Sequence, residues 1–279
     1  MTTLSTVSET ALITLRARAV ETERSSPLIE DPLSLELLDK IKSLELSVAQ
    51  RKILEWDPPS SLSSYIVLRA RKYDTYAKEF LSTHPTGLIV SLGAGFDTRF
   101  WRIQASPDQY LEVDLPEVAD SKKHILNDKL LYEMIGGSVL EKKWMEEIAH
   151  THTAHVLFLA EGLLMYLPEK EVIHLFQRLS GSFSDSQIVF EVVHRKYTRG
   201  FRKKLVESKM KRRSGTEAGA SYQYGMKEGK EVESYAKDLK LIDEWSYFED
   251  PDVRPAALRL VKHIKAFSRT QWTIQAQIG

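Results

Sequence analysis

Residues 88–99 constrain this chain more than any other stretch. They run apolar from Leu88 to Leu92, turn at Gly93, Ala94 and Gly95, and continue into Phe96, Asp97, Thr98 and Arg99. A run of four to eight apolar residues closed by glycine is the signature of a central parallel strand, buried on both faces. Gly93 and Gly95 can take positive φ and carry no Cβ, so a ligand can lie close to the backbone there. A helix following them would aim its first N–H groups at the same spot. An ordinary tight strand-to-helix turn shows the same pattern, so the glycines need a second signal.

That signal is the next strand, Tyr110–Asp114, which closes on a carboxylate roughly twenty residues beyond the glycines, where a ribose diol needs an acceptor. A nicotinamide fingerprint calls for a third glycine where Thr98 stands, and the absence of a following Gly-Lys-Ser/Thr excludes a P-loop. The other common user of the layout binds S-adenosyl-L-methionine (SAM), which has a ribose but no pyrophosphate. The pattern therefore favours methyl transfer, with a nicotinamide oxidoreductase as the alternative resting on Gly93, Gly95 and Asp114.

With 279 residues, 42% of them hydrophobic, the chain can bury a full core as one large α/β domain with accessories or as two small domains. Lysine plus arginine equals aspartate plus glutamate at 39 each, which argues against bulk nucleic-acid binding. The chain has no cysteine, so disulfides, thiolate metal sites and cysteine nucleophiles are impossible. No apolar run approaches the ~20 residues of a membrane span, and residues 1–8 lack the apolar core of a secretory signal. A cytoplasmic protein with no membrane partner is expected.

Residues 9–60 look helical, punctuated by Pro27, Pro32 and the turn at Asp57, Pro58 and Pro59. A helical prefix of this length suits a lid over a cofactor pocket. Residues 62–81 form an amphipathic helix in which Arg69 either joins a solvated face or reaches the glycine loop to pair with a ligand carboxylate. Later elements are a helix from Pro116 to Leu126, strands at 132–135 and Val156–Ala160, a helix over 169–180 and a strand over 187–193. The last are a strand over 241–248, a helix near 255–267 and a strand at Gln271–Ile278 whose Trp272, Ile274 and Ala276 share a face. Glu161 directly follows an apolar strand on the rim where open parallel sheets bind ligands. His194 stands at the end of the fifth strand, a place more often structural than catalytic. The basic stretch 195–213, with Arg195, Arg199, Lys209, Lys211, Arg212 and Arg213, is read as a solvated helix face, with an RNA-binding patch as the competing reading. Residues 214–229, with Tyr222 and Tyr224, read as a mobile loop over the acceptor. His150, His152 and His155 lie before a strand, away from the crevice, and no metal is expected.

These elements match an α/β fold: the Rossmann-like, seven-stranded sheet of class I SAM-dependent methyltransferases, with the last strand antiparallel. The residues resemble the leucine carboxyl methyltransferase family, including its bacterial and archaeal tetracenomycin-type O-methyltransferase branch. The resemblance is carried by Thr10 and Ala11, residues 17–22, Glu30-Asp31-Pro32, Arg69 to Asp74, Ser91 to Arg102, Glu112 to Pro116 and Ala160 to Leu167. It covers about residues 10–195, and 196–279 fits in architecture without a matching motif. It implies a lid over 1–60 and a methyltransferase domain over 61–279, with a substrate-side insertion around 196–232.

The resemblance further implies that Arg69 binds the methionyl carboxylate of SAM and that Gly93 lies against the methionyl portion. Asp114 would take the ribose hydroxyls, and Glu161 would sit near the methionyl amino group. Gly95, Leu115, Ser138 and Val139 would complete the cofactor contacts, with Arg18 or Arg16 reaching in from the first helix. Relatives carry an aspartate where Ser138 stands, so the adenine amino group would meet a hydroxyl without charge assistance. The implied reaction is O-methylation of a carboxylate or hydroxyl on a small molecule or peptide C-terminus, releasing S-adenosylhomocysteine. The alternative is a non-catalytic SAM-binding or partner-binding protein that retains the fold. A carboxylate acceptor needs no general base, because it is ionised at neutral pH; a hydroxyl would need one, with His194 and Tyr166 the candidates. No catalytic residue and no oligomeric state follow from the sequence.

Overall fold

A computed structural model describes residues 9–151, 155–204, 208 and 221–279. Four helices come first: α1 (Glu9–Thr22), α2 (Pro32–Lys42), α3 (Val48–Glu55) and α4 (Ser60–Thr83). The sheet then forms from β1 (Leu88–Leu92), β2 (Tyr110–Asp114), β3 (Glu133–Gly136), β4 (Val156–Ala160), β5 (Ser186–Val193), β6 (Lys240–Trp245) and β7 (Gln271–Ile278). Between the strands run α5 (Arg99–Ile103), α6 (Pro116–Leu126), α7 (Lys142–Thr151) and α8 (Glu169–Ser182). The strand order is β3-β2-β1-β4-β5-β7-β6, and β7 runs antiparallel to both neighbours. This is the expected seven-stranded α/β sheet.

Strand periodicity divides the core. Leu88, Val90 and Leu92 of β1 face Trp144 of α7 and Val172, Phe176 and Leu179 of α8. Ile89, between them, faces Tyr73, Ala77 and Phe80 of α4 and Phe100 of α5. Both faces are therefore buried, which is why β1 and β4 are apolar with little alternation. On β7, Trp272, Ile274 and Ala276 all join the α7–α8 side, as their spacing requires. A third cluster unites Leu12, Leu15 and Ala19 of α1 with Leu37, Leu38 and Ile41 of α2, Ile53 of α3 and Phe96 just after the glycines. The helical prefix is thus fastened to the glycine loop by apolar packing.

Four local expectations are corrected. The strand read over 241–248 is Lys240–Trp245, and a 3-10 turn at Tyr247–Glu249 ends it, closed by a capping box between Ser246 and Glu249. The stretch near 255–267 forms 3-10 turns at Ala256–His263 and a four-residue helix at Lys265–Ser268. The helix after the glycine loop begins only at Arg99 and is five residues long, so the turn itself, and no helix N-terminus, lies at Gly93 and Gly95. Tyr224 is a fully buried core residue against Tyr235, outside any mobile loop. Residues 152–154 and 209–220, including His152, Lys209, Lys211, Arg212 and Arg213, lie outside the described residues. No helix among the described residues is long and apolar enough to cross a membrane.

Candidate cofactor and acceptor site

The parallel register brings the carboxyl ends of the strands to one rim. Gly93 N–H donates to Val113 at 2.8 Å, and Gly137 N–H donates to Asp114 at 2.8 Å. The order reverses between β1 and β4, the topological switch point where open α/β sheets open a crevice. Gly93 and Gly95 both sit in the left-handed region, at φ +63° and +55°. A Cβ on Gly95 would stand 2.9 Å from Cβ of Ala11 on α1, and one on Gly93 would stand 2.8 Å from Leu163. Gly95→Ala is accordingly expected to destabilise the fold by about 1–2 kcal/mol through strain and displacement of α1, measured as a lowered urea midpoint.

Asp114 is 8% exposed. Its Oδ2 accepts from Gly95 N–H at 2.7 Å and its Oδ1 from Leu115 N–H at 2.8 Å. These bonds fix the carboxylate beside the glycine turn and leave each oxygen further acceptor capacity. Burial raises its pKa above the ordinary aspartate value, and the two backbone donors oppose the rise. The next side chain, Leu115, is 49% exposed and offers an apolar surface on the same rim.

Arg69 projects from α4 toward the ends of β4 and β5. Its Nε donates to Glu161 Oε1 at 2.8 Å, and its Nη1 donates to Glu191 Oε2 at 2.8 Å and to Tyr65 Oη at 2.9 Å. Nη2 takes no part in these bonds and lies 3.5 Å from the position a Cβ on Gly162 would occupy. Its contacts are thus with the β4 and β5 rim, and the charge reaching that rim from the glycine motif belongs to Arg99. The Arg99 guanidinium bonds Asp74 through Nε at 2.8 Å, Asp97 through Nη1 at 2.7 Å and Glu161 through Nη2 at 2.5 Å. Arg102 joins Asp74 at 2.7 Å and Asp97 at 3.0 Å, and Asp31 receives Arg18 at 2.9 Å and the Thr98 hydroxyl. Burial works against the charge on Glu161, but Arg69 and Arg99 outweigh it and hold its pKa below the ordinary range.

Arg18 is buried, bonding Asp31 and, through Nη2, the Phe96 carbonyl of the glycine turn at 2.7 Å; Arg16 instead bonds Trp56 O at 2.9 Å. Of the two, Arg18 reaches the glycine turn. Ser138 Oγ accepts from Leu140 N–H at 3.2 Å within its own turn, and Glu141 accepts from Ser138 N–H at 3.3 Å. Glu141 thus brings a carboxylate to this loop. Val139 is a core residue, 7% exposed, whose carbonyl accepts from the Trp144 indole. His194 Nδ1 accepts from Lys196 N–H at 3.1 Å. In the neutral ring this places the proton on Nε2, so His194 caps a turn and has no free lone pair for a base. Tyr166 lies on the rim with its ring 5.7 Å from that of Tyr222. No group of three or more His, Cys, Asp or Glu among the described residues could hold a metal ion.

Several site residues were not singled out from the sequence. Glu112 and Glu191 each interrupt a buried strand, a pattern that requires a buried partner. Glu112 meets Lys122, both fully buried, at 2.7 Å, and Lys122 also donates to Asp97 O at 2.6 Å, tying β2 to the glycine loop. Glu191 meets Arg69 and Tyr65.

Comparison with known proteins gives the family. A profile of the leucine carboxyl methyltransferase family matches residues 11–180, more than half of the chain. The chain belongs to this family of SAM-dependent methyltransferases. It is 29% identical over 257 residues to the tetracenomycin polyketide synthesis O-methyltransferase TcmP of Streptomyces glaucescens, covering 90% of this chain and 88% of that protein. It is 28% identical over 197 residues to the S-adenosyl-L-methionine-dependent methyltransferase dpfgK of Gibberella zeae, covering 68% of this chain and 66% of that one. The fold is shared with a DUF574 family protein of Streptomyces avermitilis, at a TM-score of 0.58 and 10% identity over 98% of each chain. The methyltransferase's rim suits its cofactor in chemistry as well. An anion beside the glycine turn matches a ribose diol, and a guanidinium with Nη2 uncommitted to the bonds above stands beside a carboxylate, a pair that matches a zwitterionic amino acid.

Proposed function

We propose that this methyltransferase alkylates oxygen, on a carboxylate or hydroxyl of a small molecule or a peptide C-terminus. The similarity to an O-methyltransferase along 90% of the chain carries the reading. When bound, SAM supplies a methyl group already activated by a sulfonium sulfur. The chain's part is to hold and align. Asp114 accepts the ribose hydroxyls, and Leu115 and Val139 border the adenine with Ser138 at its edge. Arg69 and Glu161 take the two ends of the methionyl group through Nη2 and the carboxylate, while Gly93 and Gly95 let it approach the backbone. Residues 9–60 act as the lid that keeps the crevice dry, and the chain around 196–232 selects the acceptor. Excluding water and fixing the acceptor oxygen in line supply most of the rate, because the leaving group needs no further activation.

Incubation with methyl-tritiated SAM and a panel of small aromatic acids, phenols and peptides tests the reading. Transfer to oxygen yields an ester whose label is released as methanol by mild alkali, or an ether whose label is not. Labelled amine or thioether products would overturn it. The ribose contact has a pH signature as well. Asp114 must be ionised to accept from two hydroxyls, and burial raises its pKa above the ordinary aspartate value. Affinity for S-adenosylhomocysteine is therefore full at neutral pH and falls as pH drops toward that raised pKa. In Asp114→Asn, titrated calorimetrically over the same range, the affinity is lower and its acid decline is lost.

A further inference from the structure

Glu191 has no role in holding the cofactor as assigned above. It lies in β5 between Phe190 and Val192, is 1% exposed, and faces α4. Tyr65 donates its hydroxyl proton to Glu191 Oε1 and accepts from Arg69 Nη1 at 2.9 Å. A phenol oxygen in this arrangement has one proton committed to a carboxylate and acceptor capacity remaining. Around it stand three more tyrosines, all half-buried: Tyr247, edge-on to Tyr65 at 5.0 Å, and the pair Tyr166 and Tyr222. The turn Leu164–Tyr166 packs against β5, the strand of Glu191, and Gln223 N–H, next to Tyr222, donates to Met165 O at 2.8 Å. Half-buried rings on several sides suit a flat apolar body, because aromatic faces and edges pack well at these separations.

We propose that Tyr65 and Glu191 form a proton relay that ionises an aromatic hydroxyl acceptor held among Tyr65, Tyr166, Tyr222 and Tyr247. The proposal rests on the O-methylation reading and commits it to a hydroxyl. The acceptor O–H breaks as its proton passes to Tyr65 Oη, and the Tyr65 O–H breaks as its own proton passes to Glu191 Oε1. The acceptor oxygen keeps the electron pair, and the total charge of the three groups is unchanged. Tyr65 touches the acceptor; Glu191 acts through it. The groups facing Glu191 are Arg69, Tyr65 and Tyr73 from α4, Glu161 from the β4 rim, Gln271 from β7, and Tyr166 and Tyr222. Burial pushes the Glu191 carboxyl up and Arg69 pulls it back, with burial the larger, so the buried carboxylate is a better base than an exposed one.

The test uses 4-nitrophenol, whose phenolate alone is yellow, bound to the complex of the whole protein with S-adenosylhomocysteine at a pH below the probe's own ionisation midpoint. Wild type is expected to raise the phenolate band several-fold over the same concentration of free probe. Tyr65→Phe and Glu191→Gln are expected to bind the probe in its colourless form. Binding of S-adenosylhomocysteine, followed by calorimetry in each protein, reports the fold, and either variant that retains it decides the question. Colourless bound probe in wild type, no probe binding to wild type, or a band unchanged in both variants would overturn the relay while leaving methyl transfer standing. Loss of S-adenosylhomocysteine binding in both variants would overturn it too, by making the pair part of the cofactor site. Failure of wild type to bind S-adenosylhomocysteine would overturn the reading on which the relay rests.

Discussion

Arg99→Ala is expected to destabilise the protein by about 3 kcal/mol, the low end of what breaking a buried ion pair costs, because it removes one of two cations from each of three buried carboxylates. Arg99 is 1% exposed and bonds Asp74, Asp97 and Glu161, which come from α4, the glycine turn and the β4 rim. Arg102 still neutralises Asp74 and Asp97 in the variant, and Arg69 still neutralises Glu161, so the loss is partial. Against a typical total of about 5–15 kcal/mol it is nonetheless large. Urea unfolding at neutral pH measures it. Acid response adds a second readout. Arg99 helps hold the Asp97 and Glu161 carboxyls below their ordinary ranges. A depressed folded-state pKa contributes stability that is present above the unfolded value and lost as pH falls through the folded one. The variant should therefore gain less stability than wild type as pH rises from 3 to 7. Equal stability of the two proteins at neutral pH would show that the network contributes nothing net.

Asp114→Ala is expected to weaken S-adenosylhomocysteine binding roughly 10- to 100-fold, the loss of charged hydrogen bonds worth about 1.5–3 kcal/mol. The variant also frees the Gly95 and Leu115 N–H groups, so the glycine turn loses its anchor. Asp114→Asn, nearly isosteric, separates the two effects: it can keep an acceptor oxygen beside Gly95 yet lacks the charge. Calorimetric titration of both variants checks the order wild type, then Asn, then Ala. Wild-type affinity in Asp114→Ala would remove this carboxylate from the cofactor site.

The sheet was legible because period-2 and period-3.6 patterns report burial directly. Tyr110–Asp114, Val156–Ala160 and Gln271–Ile278 have the bounds read from the sequence. Residues 241–248 were overextended, because Tyr247 and Phe248 have strand propensity but the capping box at Ser246 turns the chain first. At the site, Gly93, Gly95 and Asp114 were legible because their chemistry is local: a turn and a strand end, meeting through one bond at 2.7 Å. The ion network was not. Arg99, Asp74 and Glu161 are separated by tens of residues, and a charged side chain in a helix looks the same whether it meets water or a partner. Arg69 illustrates that ambiguity: Glu161, Glu191 and Tyr65 bind it within the fold, partners that no spacing in the sequence marks.

The most direct measurement is a calorimetric titration of S-adenosylhomocysteine into wild-type protein, with NADH titrated in parallel. Saturable one-to-one binding of S-adenosylhomocysteine and no heat from NADH is the predicted result, as it follows from an anion beside the glycine turn without a phosphate cradle. Binding of NADH with none of S-adenosylhomocysteine would contradict the account at its centre, by placing a dinucleotide where Gly93, Gly95 and Asp114 are assigned to a SAM-type ligand.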